Sequence, residues 1–345
     1  MPSASIMATA GAGAIFGAAL TASGVYSPSI ILSQMRLEDF HMLQVFLTAT
    51  GSSALAMVLA RRLSISECKP RSNSTLGWFH SHDGNIIGGA LLGVGMALTG
   101  ACPGTVLVQV ATGIQSGYYA LGGGLLGGFL YLHLGPYLKR TKLIVQDSKC
   151  EPCEVPKAKQ EMPPRTLISC CSIKEYNVVL VFELVCLAVV LASAYVKPSI
   201  SNSLLPPIAG GLLIGGAQAS SLALTGNAVG VSTAYEQIGK LFSSIFSRSS
   251  KKTTIPLTSV YFATGIVAGS YLLSSLVPIP VPGGDLPISV GRAILGGVSM
   301  VFGARMAGGC TSGHGISGMS TLSVSSIVTV ASIFAGGIGF TALLG

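Results

Sequence analysis

The chain has 345 residues, of which 50% are hydrophobic and only 9% are charged. Because a soluble globular domain carries roughly 25% charged residues, this composition indicates a membrane protein and argues against a soluble enzyme or binding module. The formal net charge of +8 is explained by basic loops between apolar segments, so no nucleic-acid partner is expected.

Nine apolar segments of spanning length follow one another along the chain. A membrane-spanning helix needs roughly 17–25 residues, and several of these segments contain glycines, which membrane helices tolerate. The sequence therefore predicts an all-α membrane protein with about nine transmembrane helices. The segments are 8–23, 41–60, 84–100, 117–138, 177–196, 206–225, 256–277, 288–308 and 325–345.

A repeat with four units organises these segments within a single membrane domain (1–345). Each unit consists of a glycine-rich helix, a break, a short apolar segment and a full span, so we expect four short broken or re-entrant helices besides the spans. One pair of units occupies 8–139 and the other occupies 206–345. A cytoplasmic linker (140–176) and one extra helix (177–196) connect the two halves.

Charge orients these halves in the membrane. Loops 61–71, 139–174 and 240–252 are rich in Lys and Arg, whereas 199–207 and 278–289 contain neither. If each broken helix counts as one crossing, the three basic loops share one side, which the positive-inside rule makes cytoplasmic. The N-terminus is then cytoplasmic, and the extra helix inverts the second half. Inverted repeats with broken helices are typical of transporters, and we expect a multi-pass protein of the cell membrane.

Two of the four breaks contain a cysteine in interrupted backbone. Inside a membrane, such backbone survives only where protein or a water-filled cavity shields it from lipid. A broken helix directs unpaired N–H groups and the positive end of its dipole into the gap, which suits an anion. The candidate substrate-binding residues at the breaks are Tyr26, Gly100, Cys102, Pro103, Gly104, Thr105, Asn227, Gly309, Cys310, Thr311, Ser312 and His314.

The four-unit layout, with the motifs Gly-Ala-Cys102-Pro-Gly and Gly-Gly-Cys310-Thr-Ser-Gly-His-Gly, resembles the YeeE/YedE family of integral membrane sulfur transporters. The resemblance extends from about residue 11 to residue 345, except for the linker. It implies an hourglass shape, with the broken segments meeting at a central constriction, and uptake of thiosulfate or a related small sulfur compound. It also implies a relay of substrate along cysteines through S–H hydrogen bonds. Cys102 and Cys310 match two of the relay positions, whereas Tyr26 occupies the third.

The residues at the breaks favour a neutral pore. A thiol is a weak, soft donor suited to sulfur, and a resident cation would slow the release of an anion. His314 is either a proton carrier or a hydrogen-bonded structural histidine. Arg305 lies inside a predicted span and is a candidate for attracting the anion, and Glu236 has no evident partner in the sequence.

The linker cysteines Cys150, Cys153, Cys170 and Cys171 allow three interpretations. They suit a zinc site, although the adjacent pair departs from the common spacing. Palmitoylation of Cys170 or Cys171 is the second interpretation, and the sequence supports it about as well as it supports a zinc site. The third is transfer of sulfur to a cytosolic sulfur-carrier protein. No cofactor and no metal are expected in the transport site.

The expected function is transport of thiosulfate or another small sulfur compound across the lipid bilayer. No Walker A nucleotide motif is present, which argues against ATP hydrolysis by this chain. One alternative is a membrane sulfurtransferase or thiol oxidoreductase that uses the same cysteines covalently. The other is a pore for a different small anion or a neutral solute.

Overall fold

The computed structural model describes residues 3–66, 69–139, 166–167, 175–197, 203–246, 256–279 and 288–344. In this part of the chain it is helical, with no strand and a single isolated β-bridge. The helices are α1 (Ser3–Ala22), α2 (Pro28–Met35), α3 (His41–Arg62), α4 (Asp83–Thr99), α5 (Thr105–Ala111), α6 (Gln115–Leu138), α7 (Glu175–Val196), α8 (Pro207–Thr225), α9 (Ser232–Phe246), α10 (Thr258–Leu276), α11 (Val290–Ala307), a π-helix (Thr311–Gly318) and α12 (Val324–Leu344).

Six of the described helices are long and apolar enough to cross a membrane, namely α1, α3, α7, α8, α10 and α12. A seventh span results if α11 and the π-helix, which are bent by 43° at their break, count as one. Helix α4 is apolar but shorter, with 17 residues. This set of helices confirms an all-helical, multi-pass membrane protein. All nine predicted segments coincide with helices, while the count of nine spans stays a prediction.

The helix order divides into four units, which are unit 1 (α1–α3), unit 2 (α4–α6), unit 3 (α8–α10) and unit 4 (α11, the π-helix and α12). In units 2, 3 and 4 the first helix ends on a glycine in the left-handed conformation, with φ of 58° at Gly100, 68° at Gly226 and 86° at Gly308. A side chain is strained in this conformation, so glycine fixes where each helix stops.

Glycines bring four pairs of parallel helices into backbone contact. In α1, a Cβ atom added at Gly13 would clash with the backbone of Phe262 in α10, and one added at Gly17 would clash with that of Ile266. Helices α1 and α10 are therefore parallel. The same pattern joins α3 to α8, α4 to α12 and α6 to α11. Small residues allow this close approach in membranes. In every pair, the first helix of one unit packs against the last helix of another.

The first helices of units 2 and 4 pack antiparallel. Asn85, at the start of α4, donates from Nδ2 to the carbonyl of Ala307, at the end of α11, over 3.1 Å. Thr99, at the end of α4, lies instead beside Gly296, near the start of α11. The breaks of the two units therefore begin at opposite ends of this pair, about 20 Å apart at 1.5 Å per residue.

The linker lies almost entirely outside the described residues. Thr166 forms an antiparallel bridge with Ser323, and the Leu167 N–H donates to the Leu322 carbonyl at 3.0 Å. The predictions for Cys150, Cys153, Cys170 and Cys171 concern residues that the structure does not describe. Among the residues that it does describe, no group of three His, Cys, Asp or Glu side chains is arranged to bind a metal.

Candidate functional site

A cavity of about 50 Å³ lies between the second and the fourth breaks. Cys102, Gly104 and Thr105 line it from unit 2, and Thr311 and Ser312 line it from unit 4. The remaining wall is apolar and comes mainly from α1, α3 and α8. Because one water needs roughly 10–15 Å³ by this measure, the space suits a few waters or one small ion. The cavity thus brings together five of the predicted site residues.

Cys102 accepts and donates hydrogen bonds at the start of α5. The Thr105 N–H donates to Cys102 Sγ at 3.4 Å, and the Cys102 N–H donates to Thr105 Oγ1 at 2.7 Å. This reciprocal arrangement is like a capping box in which the thiol sulfur is one acceptor. Since the sulfur accepts from the backbone, its own proton remains to be donated into the cavity.

Cys310 is fully buried behind the cavity wall. Its Sγ lies 3.2 Å from the Ser312 Oγ. The backbone amides of Val231, Ser232 and Gly313 surround the same sulfur. The starts of α9 and of the π-helix therefore converge on Cys310, with donors from two different units.

Gln109 of α5 connects the first break to the second. Its Nε2 donates to the carbonyl of Tyr26 at 2.8 Å and to the carbonyl of Gly100 at 2.9 Å. Tyr26 is buried, but it is its neighbour Val25 that lines the cavity. A Cβ atom at Gly100 would press on Pro28, so the two breaks touch there as well. The contribution of Tyr26 to this contact is its backbone carbonyl.

Gln218 of α8 plays the corresponding part at the third and fourth breaks. Its Oε1 accepts from the Val229 N–H at 3.1 Å and from the Ser317 hydroxyl at 3.2 Å. Asn227, in the same break, is exposed, and its Nδ2 donates to the Thr225 carbonyl at 2.9 Å. The structure therefore does not bring Asn227 to the cavity.

Tyr235 of α9 connects unit 3 to unit 2 by a hydrogen bond. Its hydroxyl donates to the carbonyl of Pro103 at 2.8 Å. The buried ring lies near both Cys102 and Cys310. Sequence reasoning missed Tyr235, Gln109 and Gln218. The signal was available, since buried polar groups in apolar helices have hydrogen-bond partners to satisfy.

His314 is held by two hydrogen bonds within the fourth unit. Its Nε2 lies 3.1 Å from the Ala307 carbonyl, which only accepts, so Nε2 carries the proton. Its Nδ1 then accepts from the Ser326 hydroxyl at 3.0 Å. Both ring nitrogens are engaged, which favours the structural interpretation of His314 over the proton carrier.

Arg71, from the loop between α3 and α4, reaches the fourth break. Its Nε donates to the Gly313 carbonyl at 2.8 Å and its Nη1 donates to the Gly308 carbonyl at 2.9 Å. A Cβ atom added at Gly309 would lie 2.9 Å from Nη1, so the glycine leaves the space that the guanidinium fills. Sequence reasoning treated this loop only as an orienting charge and missed the residue.

Arg71 gives the fourth break a charged group beside Cys310 that the sequence did not indicate. A Cβ atom at Gly313 would lie 2.9 Å from Arg71 Nη2 and 3.7 Å from Cys310 Sγ, so the two side chains face the same small space. Burial lowers the pKa of Arg71 from its ordinary value. Arginine nonetheless keeps its charge at neutral pH. The cysteine of unit 4 consequently has a cation next to it.

A larger cavity, of about 690 Å³, adjoins Arg71 and is also lined by Lys139 and Arg305. Arg305 is paired with Glu236, which lies 2.5 Å from the Lys240 Nζ as well. These two cations are the partners of Glu236 that the sequence did not reveal. Arg305 is therefore largely neutralised, which argues against its predicted role in attracting the anion.

Most of this chain matches a known protein family. The family model described as sulphur transport matches residues 22–339. The chain belongs to the sulphur transport family. The resemblance to YeeE/YedE transporters in the sequence is thereby confirmed. Together with the apolar helices, membership indicates an integral membrane transporter of sulfur rather than an enzyme.

Curated relatives of this sulphur transport family member include proteins from two strains of Xylella fastidiosa, each described as a probable transporter. One protein from each strain is 30% identical over 139 residues, which cover 40% of this chain and 93% of the relative. Another is 32% identical over 118 residues, covering 30% of this chain and 73% of the relative.

A further cavity of the transporter, of about 570 Å³, is lined by Arg36, Glu38 and Arg292. The Arg292 Nη2 donates to the carbonyl of Ala97, near the end of α4, at 3.3 Å. The cavity beside Arg71 borders Gly308, at the other end of α11. The cavities beside Arg71 and beside Arg292 therefore lie at opposite ends of the α4–α11 pair.

Proposed function

We propose that this transporter takes up thiosulfate or a related small sulfur anion through the cavity between Cys102 and Cys310. The observation that carries the proposal is the convergence of two interrupted segments, from units 2 and 4, on one small buried space. Interrupted backbone at membrane depth is tolerated where it lines a cavity, and transporters use it to bind their substrates.

The groups around this cavity support an anion that contains sulfur. Thr311 Oγ1 is buried and has no hydrogen-bond partner among the described residues. An unpartnered hydroxyl in a cavity wall calls for a bound water or ligand. The Cys102 thiol supplies a soft donor to the same cavity, and none of the side chains that line this cavity is charged. Weak neutral contacts suit a substrate that has to leave again.

The proposed direction of transport combines the inverted repeat with the cytoplasmic position of the basic loops. In our proposal the second and fourth units are inverted repeats, as are the first and third. The parallel and antiparallel helix contacts support this symmetry. The anion enters an hourglass-shaped molecule from outside, meets Cys102 on the outer break and then Cys310 on the cytoplasmic break. With nine spans, the N-terminus is cytoplasmic and the protein lies in the cell membrane.

Uptake of radiolabelled thiosulfate into proteoliposomes tests this function. The wild-type protein is expected to exceed empty liposomes, and Cys102→Ala and Cys310→Ala are expected to lower uptake at least tenfold. Cys186→Ala is the matched control, because Cys186 is also buried but lies on α7, away from the cavity. Uptake by the wild-type protein no greater than that of empty liposomes, in a folded preparation, would contradict the proposal.

The orientation has its own test. An impermeant maleimide is expected to label Cys150, in the linker, only from the cytoplasmic side. Labelling from outside would overturn the orientation.

A membrane sulfurtransferase is the second candidate function, because the amides around Cys310 would also stabilise a thiolate nucleophile. In that case a cysteine thiolate attacks the outer sulfur of thiosulfate, the S–S bond of thiosulfate breaks and sulfite leaves. The resulting persulfide then passes its outer sulfur to a thiol of the expected acceptor, a cytosolic sulfur-carrier protein, and the cysteine returns to its thiolate form. Replacing either cysteine with serine discriminates, because a hydroxyl retains hydrogen bonding but does not support this chemistry.

A further inference from the structure

We propose that Arg71 forms a second anion subsite, which receives the transported anion on the far side of Cys310 and passes it to the cavity lined by Lys139. The inference rests on the proposed function, since it names the same anion as the ligand. Its basis is the position of one arginine between the fourth break and a large polar cavity.

Hydrogen bonds hold Arg71 in place at its guanidinium group and at its backbone carbonyl. Two of its five N–H groups donate to the carbonyls of Gly308 and Gly313. The Arg71 backbone carbonyl accepts from the hydroxyls of Ser323 and Ser325, each at 3.0 Å. A charged group that the fold positions this firmly has already lost much of its side-chain freedom, so less entropy is lost when it binds a ligand.

The remaining charge of Arg71 has no counterion among the residues that the structure describes. The contrast is with Arg305, in the wall of the same cavity, which pairs with Glu236. A partly buried cation without a carboxylate is costly, and an anion relieves that cost. Three N–H groups remain after the two carbonyl contacts, enough for a forked contact with an oxyanion.

Glycines keep side chains away from the Nη2 group of Arg71 on two sides. Nη2 faces Gly230 from unit 3 and Gly313 from unit 4, at 3.5 Å and 2.9 Å from the positions where their Cβ atoms would be. Because neither residue contributes a side chain, the backbone of units 3 and 4 approaches Nη2 closely, and Cys310 Sγ lies 3.7 Å from the same Gly313 position. An anion that leaves Cys310 meets Arg71 next.

Equilibrium binding of radiolabelled thiosulfate to the detergent-purified full chain tests the subsite, with proteoliposome uptake measured in parallel. Arg71→Met is expected to weaken binding about tenfold or more, since it removes a charge-assisted contact. Arg71→Lys is expected to bind less tightly than the wild type but more tightly than Arg71→Met, because it keeps the charge and loses the forked contact. Arg62→Met, an exposed arginine at the end of α3, is the matched control and should bind as the wild type does.

The outcomes separate this inference from the proposed function. If Arg71 only holds the loop, lysine cannot reproduce both carbonyl contacts, and Arg71→Lys would lose thermal stability and affinity as much as Arg71→Met. Equal losses in Arg71→Lys and Arg71→Met would overturn the subsite. Unchanged affinity in Arg71→Met, or no binding by the wild type, would overturn it as well. Wild-type binding that depends on Arg71 but occurs without uptake supports the subsite and contradicts the transport proposal.

Discussion

The second and fourth breaks occupy equivalent positions in the repeat, yet their cysteines have different surroundings. Cys102 borders the cavity and is held by Thr105, its neighbour in the same break. Cys310 lies behind the wall, among amides from two units and next to Arg71. The difference teaches that equivalent positions of a repeat can place one cysteine on an uncharged cavity and the other in a packed site beside a charged group.

The largest expected effect comes from filling the fourth break. Gly309→Ala would place a methyl group 2.9 Å from both Arg71 Nη1 and the His314 ring, and overpacking of this kind costs up to about 3 kcal/mol. Gly104→Ala, at the second break, meets only ordinary contacts at 3.7 and 3.9 Å. Thermal unfolding should therefore be impaired in the first variant and nearly normal in the second. Equal tolerance would remove the distinction between the breaks.

A smaller effect is expected at the two glutamines that join the breaks. Gln109→Leu leaves the carbonyls of Tyr26 and Gly100 without a donor, and Gln218→Leu leaves the Val229 N–H without an acceptor. Each loss costs about 2 kcal/mol. Denaturant or thermal unfolding in detergent measures this loss. Gln44→Leu is the control, because no hydrogen bond from the side chain of this buried glutamine joins two breaks in the described structure. Loss of stability in only one of the two bridging variants would indicate that the halves are not equivalent.

Serine replacement of the cysteines separates their roles. Cys102→Ser is expected to lower the rate of thiosulfate uptake about tenfold, or 1.4 kcal/mol, because the sulfur that borders the cavity is lost. Cys310→Ser should cost about threefold, since a hydroxyl accepts from the surrounding amides as a thiol does. Complete loss in both variants, with folding intact, would favour the covalent sulfurtransferase instead.

The smallest expected effect on stability concerns two buried tyrosines. Tyr235→Phe leaves the Pro103 carbonyl without its donor and should destabilise the protein by about 1 kcal/mol. Tyr26→Phe should be close to neutral, because Tyr26 contributes a backbone carbonyl to the Gln109 contact. Thermal unfolding of both variants checks this order. A larger effect of Tyr26→Phe on uptake would return its hydroxyl to the relay position that the sequence suggested.

Much of the fold was predictable because its determinants are local. Apolar length marks the helices, and a left-handed glycine such as Gly100 or Gly308 marks where a helix must stop. The repeat then pointed to Cys102 and Thr311, which line the cavity. Each of these signals lies within one short stretch of sequence.

The remaining parts of the site depend on contacts between distant segments. Arg71 reaches the fourth break from a loop more than 200 residues earlier in the chain. The repeat also equated Asn227 with the other break residues, although the third break leaves this side chain exposed. Local pattern does not specify which loop inserts into a break or which break stays at the surface.

A crystal structure of the protein with thiosulfate, recorded at a wavelength where sulfur scatters anomalously, tests the central claim most directly. The account predicts a substrate peak inside the 50 Å³ cavity, within hydrogen-bonding distance of Cys102 Sγ and Thr311 Oγ1. Data from a crystal without thiosulfate are the control for the protein's own sulfur atoms. Thiosulfate bound elsewhere, with this cavity empty at saturating concentration, would contradict the account.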